Sequence, residues 1–233
     1  AREWFEKAAV AGDPTFITNI GLMYEFGRGV PKNYTLAREW FEKAAAAGSP
    51  IGMHNLASMY DNGQGVPQDY VEARQWYEKA AVAGMHPATK RIGDFYLKGL
   101  GVPQDYKQAR QCYEAAAVAG DSDAMNNLGV IYEKGYGVPQ NDAQARQWYE
   151  KAAAAGQAAA MTSLGSIYMS GRGVPQSYTQ ARQWYEKAAA AGDRTAMKAI
   201  GFLYENGKGV RQDSIRARQW YDKAAAAADS QPK

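Results

Sequence analysis

The sequence predicts an all-α fold, a solenoid of antiparallel helix pairs, and two observations lead to this prediction. The first is a period of 36 residues, marked by the pair Ala-Arg at Ala1, Ala37, Ala73, Ala109, Ala145, Ala181 and Ala217. The second is the helical spacing of apolar residues inside each period. A fixed period of this length is typical of repeat proteins, in which each repeat buries its apolar face only against its neighbours.

The first helix of each repeat is predicted from its cap, its spacing and its end. Asp13, Ser49, Asp121 and Asp193 follow glycines, and their side chains can accept hydrogen bonds from free helix-start amides. In the fourth repeat Met125, Leu128, Gly129 and Tyr132 fall at i, i+3, i+4 and i+7, which is one face of a helix. Each helix should stop at a left-handed glycine, found at Gly27, Gly63, Gly99, Gly135, Gly171 and Gly207.

A second glycine column lies inside the first helix and predicts close helix packing. It contains Gly21, Gly93, Gly129, Gly165 and Gly201, and only the second repeat has alanine, Ala57. Glycine inside a helix costs about 0.5–1 kcal/mol relative to alanine, so a packing requirement should explain it. We expect this position to approach a large aromatic side chain of the second helix.

The second helix follows a loop with the pattern GxGVP and carries the phrase Ala-Arg-x-Trp-aromatic before an alanine run. These elements predict one domain over residues 1–233, with six full helix pairs after a leading second helix at residues 1–12. The expected repeats are 13–48, 49–84, 85–120, 121–156, 157–192 and 193–228, followed by a polar tail at 229–233. The GxGVP loops are interpreted as turns, because they lack the strand and the lysine that phosphate-binding loops need.

Composition excludes several classes of function. Lysine and arginine total 27 against 24 acidic residues, so the net charge of +3 gives no basic patch for nucleic acid. One cysteine and two histidines leave little for disulfides or a metal site, and no apolar run is long enough to span a membrane. We therefore expect no catalytic residues, no cofactor and no metal. Because the chain starts in mid-repeat without methionine, periplasmic, secreted and cytoplasmic locations all stay open.

The segment AMNNLGVIYEKGYGVPQNDAQARQWYEKAAAAG and its copies resemble the Sel1-like repeat family, relatives of the tetratricopeptide repeats. The resemblance covers nearly the whole chain and implies a right-handed superhelix that acts as a non-catalytic adaptor. Bacterial members act in secretion, envelope and host-interaction systems, or as immunity proteins that bind a secreted toxin. A cysteine-rich branch has been associated with β-lactams, but this chain lacks its cysteine pairs.

Cys112 occupies a column that otherwise holds tryptophan, at Trp4, Trp40, Trp76, Trp148, Trp184 and Trp220. An aromatic residue at every equivalent position indicates core packing, so Cys112 is interpreted as a packing residue rather than a nucleophile. In the same repeat Ala115 replaces the usual lysine. We expect this exchange to leave the third repeat more loosely packed than the others.

Partner binding is predicted at positions whose residue changes from repeat to repeat while the packing positions keep theirs. These variable positions lie on the face of the first helices that points away from the core. In related solenoids the first helices line the concave surface. Ten residues are candidates, nine on this face and Tyr136 at its rim: His54, Lys90, Arg91, Asp94, Asn126, Asn127, Thr162, Lys198, Phe202 and Tyr136.

Four functional interpretations are weighed. The leading one is a scaffold that binds a protein partner, and an immunity protein is the first alternative. A peptidoglycan- or carbohydrate-binding module is the second alternative, since polar groove residues beside aromatic rings can bind sugars. An enzyme is disfavoured, because no activated nucleophile or carboxylate pair stands at a recognisable spacing. Self-association through the N-terminal helix is a further expectation.

Overall fold

The structure, a computed structural model, describes residues 12–229, and for residues 228 and 229 only the backbone. Within these residues the chain forms twelve α-helices and no strands. In chain order, α1 to α12 are Pro14–Phe26, Tyr34–Ala46, Pro50–Asn62, Tyr70–Val82, His86–Lys98, Tyr106–Val118, Ser122–Lys134, Asp142–Ala154, Ala158–Ser170, Tyr178–Ala190, Arg194–Glu205 and Ser214–Asp229. The predicted all-α class with six helix pairs is confirmed. The leading helix expected before α1 lies outside the described residues, as does most of the polar tail.

Most predicted helix ends are confirmed by their hydrogen bonds. Ser49 Oγ accepts from the amide of Gly52 at 3.0 Å, and Asp193 Oδ1 accepts from Ala196 at 2.7 Å. Gly27 and Gly63 close α1 and α3 in the left-handed conformation, with φ of 68° and 67°. The predicted stop at Gly207 is wrong by one residue, because Asn206 is the C-cap of α11. At the start of α5, Met85 stands at the cap position and makes no side-chain cap. The third repeat therefore lacks a stabilising contact that the first and second repeats have.

The contacts divide the chain into two compact units, up to Asp121 and from Ser122 onwards. The N-terminal unit contains α1–α6 and the C-terminal unit α7–α12. In each unit the two helices of a pair pack together, and the second helix of one pair packs on the first helix of the next, as α2 does on α3 and α8 on α9. First helices also contact each other directly, α1 with α3, α7 with α9 and α9 with α11. Each unit thus has a layer of first helices.

The predicted close approach at the inner glycines is confirmed. A Cβ atom on Gly129 would lie 2.4 Å from Cε1 of Tyr149, and one on Gly165 would lie 2.5 Å from Cε1 of Tyr185. Both distances are far below normal contact. The aromatic ring of the second helix therefore lies directly on the backbone of the first, which explains the glycine column.

The tryptophan column is not the centre of the core, which corrects the sequence interpretation. From Trp40 onwards the tryptophans are half-buried, whereas the aromatic residue that follows is fully buried in each case except Tyr221, which is half-buried. The buried rings belong to Phe41, Tyr77, Tyr113, Tyr149 and Tyr185. The tryptophan side chains pack against the edges of the core clusters, as Trp76 and Trp184 do.

From Trp40 onwards, each tryptophan ring is covered by the lysine three residues later. The Nζ atom of Lys79 lies 3.7 Å from the ring centroid of Trp76, and that of Lys151 lies 4.0 Å from Trp148. A cation over an aromatic face contributes about 0.5–1 kcal/mol at exposed sites. Cys112 and Ala115 therefore remove both members of one interacting pair. The two replacements in this repeat therefore act together as one change in packing.

Candidate partner-binding surfaces

Five of the candidate residues lie on the first helices of the C-terminal unit. Asn126 and Asn127 on α7 and Thr162 on α9 are half-buried, Lys198 on α11 is exposed, and the Phe202 ring is 41% exposed. Oδ1 of Asn126 and Oγ1 of Thr162 are buried without a protein hydrogen-bond partner. Buried polar atoms are rarely left unsatisfied, so ordered water is expected at these two positions.

The rim residue Tyr136 lies in the loop after α7, on the same unit. Its side chain is half-buried and interacts within the chain, so it is less accessible than the loop position indicated.

The other four candidates lie in the N-terminal unit, and three of them form an ion cluster. Lys90 Nζ lies 3.1 Å from Oδ2 of Asp94, and Arg91 Nη1 lies 3.0 Å from the same oxygen. Arg91 Nη2 also pairs with Asp61, which belongs to the preceding repeat. Both carboxylates are buried, with exposures of 5% for Asp61 and 6% for Asp94. The cluster therefore joins α3 to α5 inside the protein.

Two core tyrosines complete the cluster. The hydroxyl of Tyr77 donates to Oδ2 of Asp61 at 3.3 Å, and that of Tyr113 donates to Oδ1 of Asp94 at 2.8 Å. Burial, followed by the negative charge of Asp61, raises the pKa of Tyr77 to about 12. Burial acts against the charge of Arg91, but the hydrogen bond and charge of Asp61 outweigh it and raise the pKa of the guanidinium. Tyr77 therefore stays a protonated donor and Arg91 stays charged.

Asp94 is explained by a pattern that the sequence analysis missed. The core tyrosine hydroxyl usually donates to an acidic residue 16 positions earlier, as Tyr149 does to Glu133 at 2.7 Å and Tyr221 to Glu205 at 2.9 Å. In the third repeat Leu97 occupies that earlier position, and Asp94 takes over as acceptor. The signal was present as an acidic column interrupted by Leu97 and Met169. Asp94 thus has a structural role, while its contact with a partner stays a prediction.

His54 on α3 packs edge-on against the Tyr77 ring, with centroids 5.2 Å apart. Burial is the main cause that lowers the pKa of His54, and the nearby charge of Arg91 lowers it further, against a hydrogen bond with Asn55 that raises it. The neutral ring is therefore favoured in the folded protein.

We expect the protein to lose stability as the pH falls below about 6.5, the ordinary pKa of histidine. In that range the unfolded chain binds a proton at His54 more readily than the folded chain, so protonation favours unfolding. Urea unfolding of the wild type and His54→Gln at pH 7.5 and 5.5 checks this. The wild type should lose more stability over this interval than the variant, and an equal loss in both would contradict a role for His54.

Cys112 on α6 is half-buried and packs against the core that includes Tyr77 and Phe95. Burial, and then the nearby charge of Glu78, raises the pKa of the Cys112 thiol to about 11. A reactive thiol needs the opposite environment, one that stabilises the thiolate. Among the described residues no group of His, Cys, Asp and Glu has the arrangement of a metal site.

We expect the double variant Cys112→Trp/Ala115→Lys to raise the free energy of unfolding by about 1–2 kcal/mol, through added apolar burial and a restored cation–π contact. Thermal or urea unfolding gives the measurement, and Ala115→Lys alone is the control that should show no gain. Unchanged or lower stability in the double variant would contradict the loose packing predicted for the third repeat.

A cavity of about 320 Å³ also lies on the first-helix layer of the N-terminal unit, between α1 and α3. It is bounded by Thr18, Asn19 and Leu22, which belong to the variable columns, and by the helix start at Ser49. Thr18 Oγ1 lies 2.9 Å from Ser49 Oγ at its floor. The variable columns therefore line a concave surface at this point.

The family follows from the repeats themselves. The Sel1 repeat pattern matches seven consecutive segments, at residues 1–13, 17–49, 50–85, 86–121, 122–157, 158–193 and 195–229. The chain belongs to the Sel1 repeat family. Sel1 repeat proteins are generally non-catalytic scaffolds whose repeats mediate protein interactions. In the described residues of this Sel1 chain, no helix has the length and apolar character needed to cross a membrane.

Two solved structures are similar in both sequence and fold. A Sel1 repeat protein from Oxalobacter formigenes is 38% identical, with a TM-score of 0.90, over 97% of this chain and 92% of that one. The protein c5321, a protective antigen present in uropathogenic Escherichia coli strains, is 37% identical, with a TM-score of 0.85. The match covers 98% of this chain and 49% of c5321, so the Sel1 chain described here spans about half the length of that antigen.

A solved structure of lower sequence identity is similar in fold alone. Immunity protein Pa5087 from Pseudomonas aeruginosa is 20% identical, with a TM-score of 0.61, over 93% of this chain and 83% of that one. A search of curated proteins gives no match.

Proposed function

We propose that this Sel1 repeat chain is a non-catalytic scaffold that binds a partner protein through the first-helix layer of its C-terminal unit. The observation that supports this most is a contrast between core positions and outward positions of the repeats. Core positions hold nearly the same residue in each repeat, whereas the outward positions of α7, α9 and α11 change to Asn126, Thr162 and Lys198. Such variation on a fixed frame is how repeat proteins acquire specific binding surfaces.

The chemistry of this face suits a protein ligand. Asn126 and Thr162 are half-buried polar side chains, and Phe202 adds an exposed ring on the next first helix. Aromatic side chains that contribute large contact area at low entropic cost are common anchors of protein interfaces. Asn127 and Lys198 complete the face with adaptable polar contacts.

We place this function in a bacterial host-interaction, envelope or secretion system. The likeness to the protective antigen c5321 supports this setting, at 37% identity over nearly the whole chain. An immunity role stays the alternative, and only the shared fold connects the chain to the immunity proteins. The two roles differ in outcome, since an immunity protein should bind one partner tightly and inhibit it.

The test compares which proteins the wild type and two triple variants capture from a cell lysate. The first triple variant alters the proposed face, Asn126→Ala/Thr162→Ala/Phe202→Ala. The second is a matched control on exposed positions of the second helices, Gln147→Ala/Gln183→Ala/Gln219→Ala. Lys90 is left unchanged, because it pairs with the buried Asp94. Each captured protein is then purified and its affinity measured by calorimetry.

We expect the face variant to weaken binding at least tenfold while the control binds like the wild type. Tight binding by the face variant together with weak binding by the control would move the interface to the second helices. If no protein binds the wild type but cell-wall fragments do, the carbohydrate-binding alternative replaces the proposal.

A further inference from the structure

We propose that a gap between α4 and α6, where the third repeat lacks its tryptophan ring, receives a tryptophan side chain from a segment of a partner protein. The gap lies on the second helices of the N-terminal unit and contains none of the residues of the first-helix face. Ala81 on α4 and Cys112 on α6 both pack at the edge of the core beneath it, and Ala115 lies exposed one turn after Cys112. It lies between the second and third helix pairs, so a pair of this chain stands on each side of it.

The later repeats show what normally fills this position. Trp184 on α10 packs against the core cluster that contains Ala153 of the preceding second helix. Trp220 on α12 likewise packs against the cluster that contains Ala189 of α10. Both alanines are buried, with exposures of 6% and 8%. The tryptophan of one second helix therefore covers the alanine of the second helix before it.

Ala81 lacks this cover. It is partly exposed, whereas the equivalent Ala45 and Ala117 are buried, with exposures of 5% and 6%. Two short side chains of the third repeat explain the difference. Cys112 replaces the tryptophan, and Thr89 on α5 replaces the methionine found in four other repeats, at Met53, Met125, Met161 and Met197. The exposure of Ala81 shows that the rest of the chain does not fill the place of the missing ring.

Exposed aliphatic side chains flank the gap on both helices. Val82 on α4 and Val118 on α6 are each 92% exposed. The other four complete repeats have alanine at this position, at Ala46, Ala154, Ala190 and Ala226, and the incomplete leading repeat has Val10. Packing of the complete repeats therefore does not require valine at these two positions.

A cavity of about 560 Å³ extends this apolar surface over the outward side of α4. It shares Val82 with the rim of the gap and is otherwise lined by Met53, Gln75, Glu78, Lys79 and Ala83. The exposed apolar surface is thus larger than the place of one aromatic ring. A ligand that used all of it would need side chains on both sides of the ring.

The charges around the gap favour an apolar ligand. Glu78 lies near enough to Cys112 for its charge to act on the thiol, and it is paired with Arg74 on its own helix. The carboxylate that borders the gap therefore already has a cation. Tryptophan is a common anchor of protein interfaces, because a large ring is buried there at a small cost in side-chain entropy. A free indole would fill the gap but leave Val82 and Val118 unused, so a peptide segment with apolar neighbours fits better.

The experiment measures fluorescence anisotropy of a short labelled peptide that has a single tryptophan between two leucines. The matched peptide has alanine in place of the tryptophan. Four proteins are compared by titration, and circular dichroism melts check that each is folded. They are the wild type, the filled variant Cys112→Trp/Ala115→Lys, the rim variant Val82→Ala/Val118→Ala, and the control Val71→Ala/Ile215→Ala, which removes exposed aliphatic side chains away from the gap.

We expect the wild type and the control to bind the tryptophan peptide equally, and the filled variant to bind it at least tenfold more weakly, because its own ring occupies the gap. The rim variant should bind roughly threefold more weakly, since it loses only aliphatic contacts. The alanine peptide should bind the wild type at least tenfold more weakly than the tryptophan peptide. Because the filled variant gains packing, its loss of binding would not come from unfolding.

Equal binding of the two peptides, equal binding by the wild type and the filled variant, or no binding at all would overturn the proposal. Displacement by N-acetyltryptophanamide at the peptide's own concentration would also overturn it, since the gap would then select the ring and not a peptide segment. The face variant Asn126→Ala/Thr162→Ala/Phe202→Ala should bind the peptide like the wild type. This last comparison separates the gap from the first-helix face, so either proposal can fail without the other.

Discussion

Replacing Arg91 with alanine is expected to lower the free energy of unfolding by about 3 kcal/mol, a result that urea unfolding would show directly. The substitution removes the cation that pairs with both buried carboxylates, Asp61 and Asp94. Asp94 keeps Lys90 as a partner, but Asp61 keeps only the hydroxyl of Tyr77. A buried carboxylate without a cation is costly because the protein interior solvates charge poorly.

The control for this prediction is Arg110→Ala. Arg110 pairs with Glu114 one turn away at 3.0 Å, and both side chains are partly exposed. Exposed pairs of this kind contribute about 0–1 kcal/mol, so this variant should remain close to the wild type in stability. Similar losses in Arg91→Ala and Arg110→Ala would contradict the assignment of a buried cluster to α3 and α5.

Gly129→Val is expected to destabilise the protein by about 3 kcal/mol or more. Even the first added carbon would lie 2.4 Å from the Tyr149 ring, and valine adds two methyl groups to it. The ring cannot move away freely, because it is fully buried and its hydroxyl donates to Glu133. Thermal unfolding measures the loss.

Two controls separate this clash from helix propensity. Ala159→Val places the same side chain at an exposed position of α9 and should cost only about 0.5 kcal/mol. Gly129→Ala should be milder than Gly129→Val, since Ala57 already occupies the equivalent place beside the Tyr77 core. A small effect of Gly129→Val would mean that the two helices separate easily, against the packing described here.

The fold could be predicted because the period repeats the same local information six times. Caps, terminal glycines and inner glycines each follow from short-range chemistry, and the structure confirms most of them. The choice of buried aromatic could not be predicted in the same way. Trp76 and Tyr77 belong to neighbouring columns that are both filled in nearly every repeat, and periodicity does not tell which of two adjacent helix positions faces inwards.

The surfaces were predicted less completely, since variation in a column has more than one physical cause. Asp94 takes the place of the acid that Leu97 replaces, and Lys90 and Arg91 pair with the buried carboxylates of Asp94 and Asp61, which depends on contacts between repeats.

The ion pair between Arg91 and Asp61 has a consequence for how this gene can evolve. Most tyrosine–acid hydrogen bonds are made inside one repeat, as between Tyr149 and Glu133, so a copied repeat carries both partners with it. Arg91 instead depends on the repeat before its own. Deleting or transplanting residues 85–120 alone would separate a buried charge from its counter-charge. The second and third repeats therefore form one heritable module, and recombination should preserve them together.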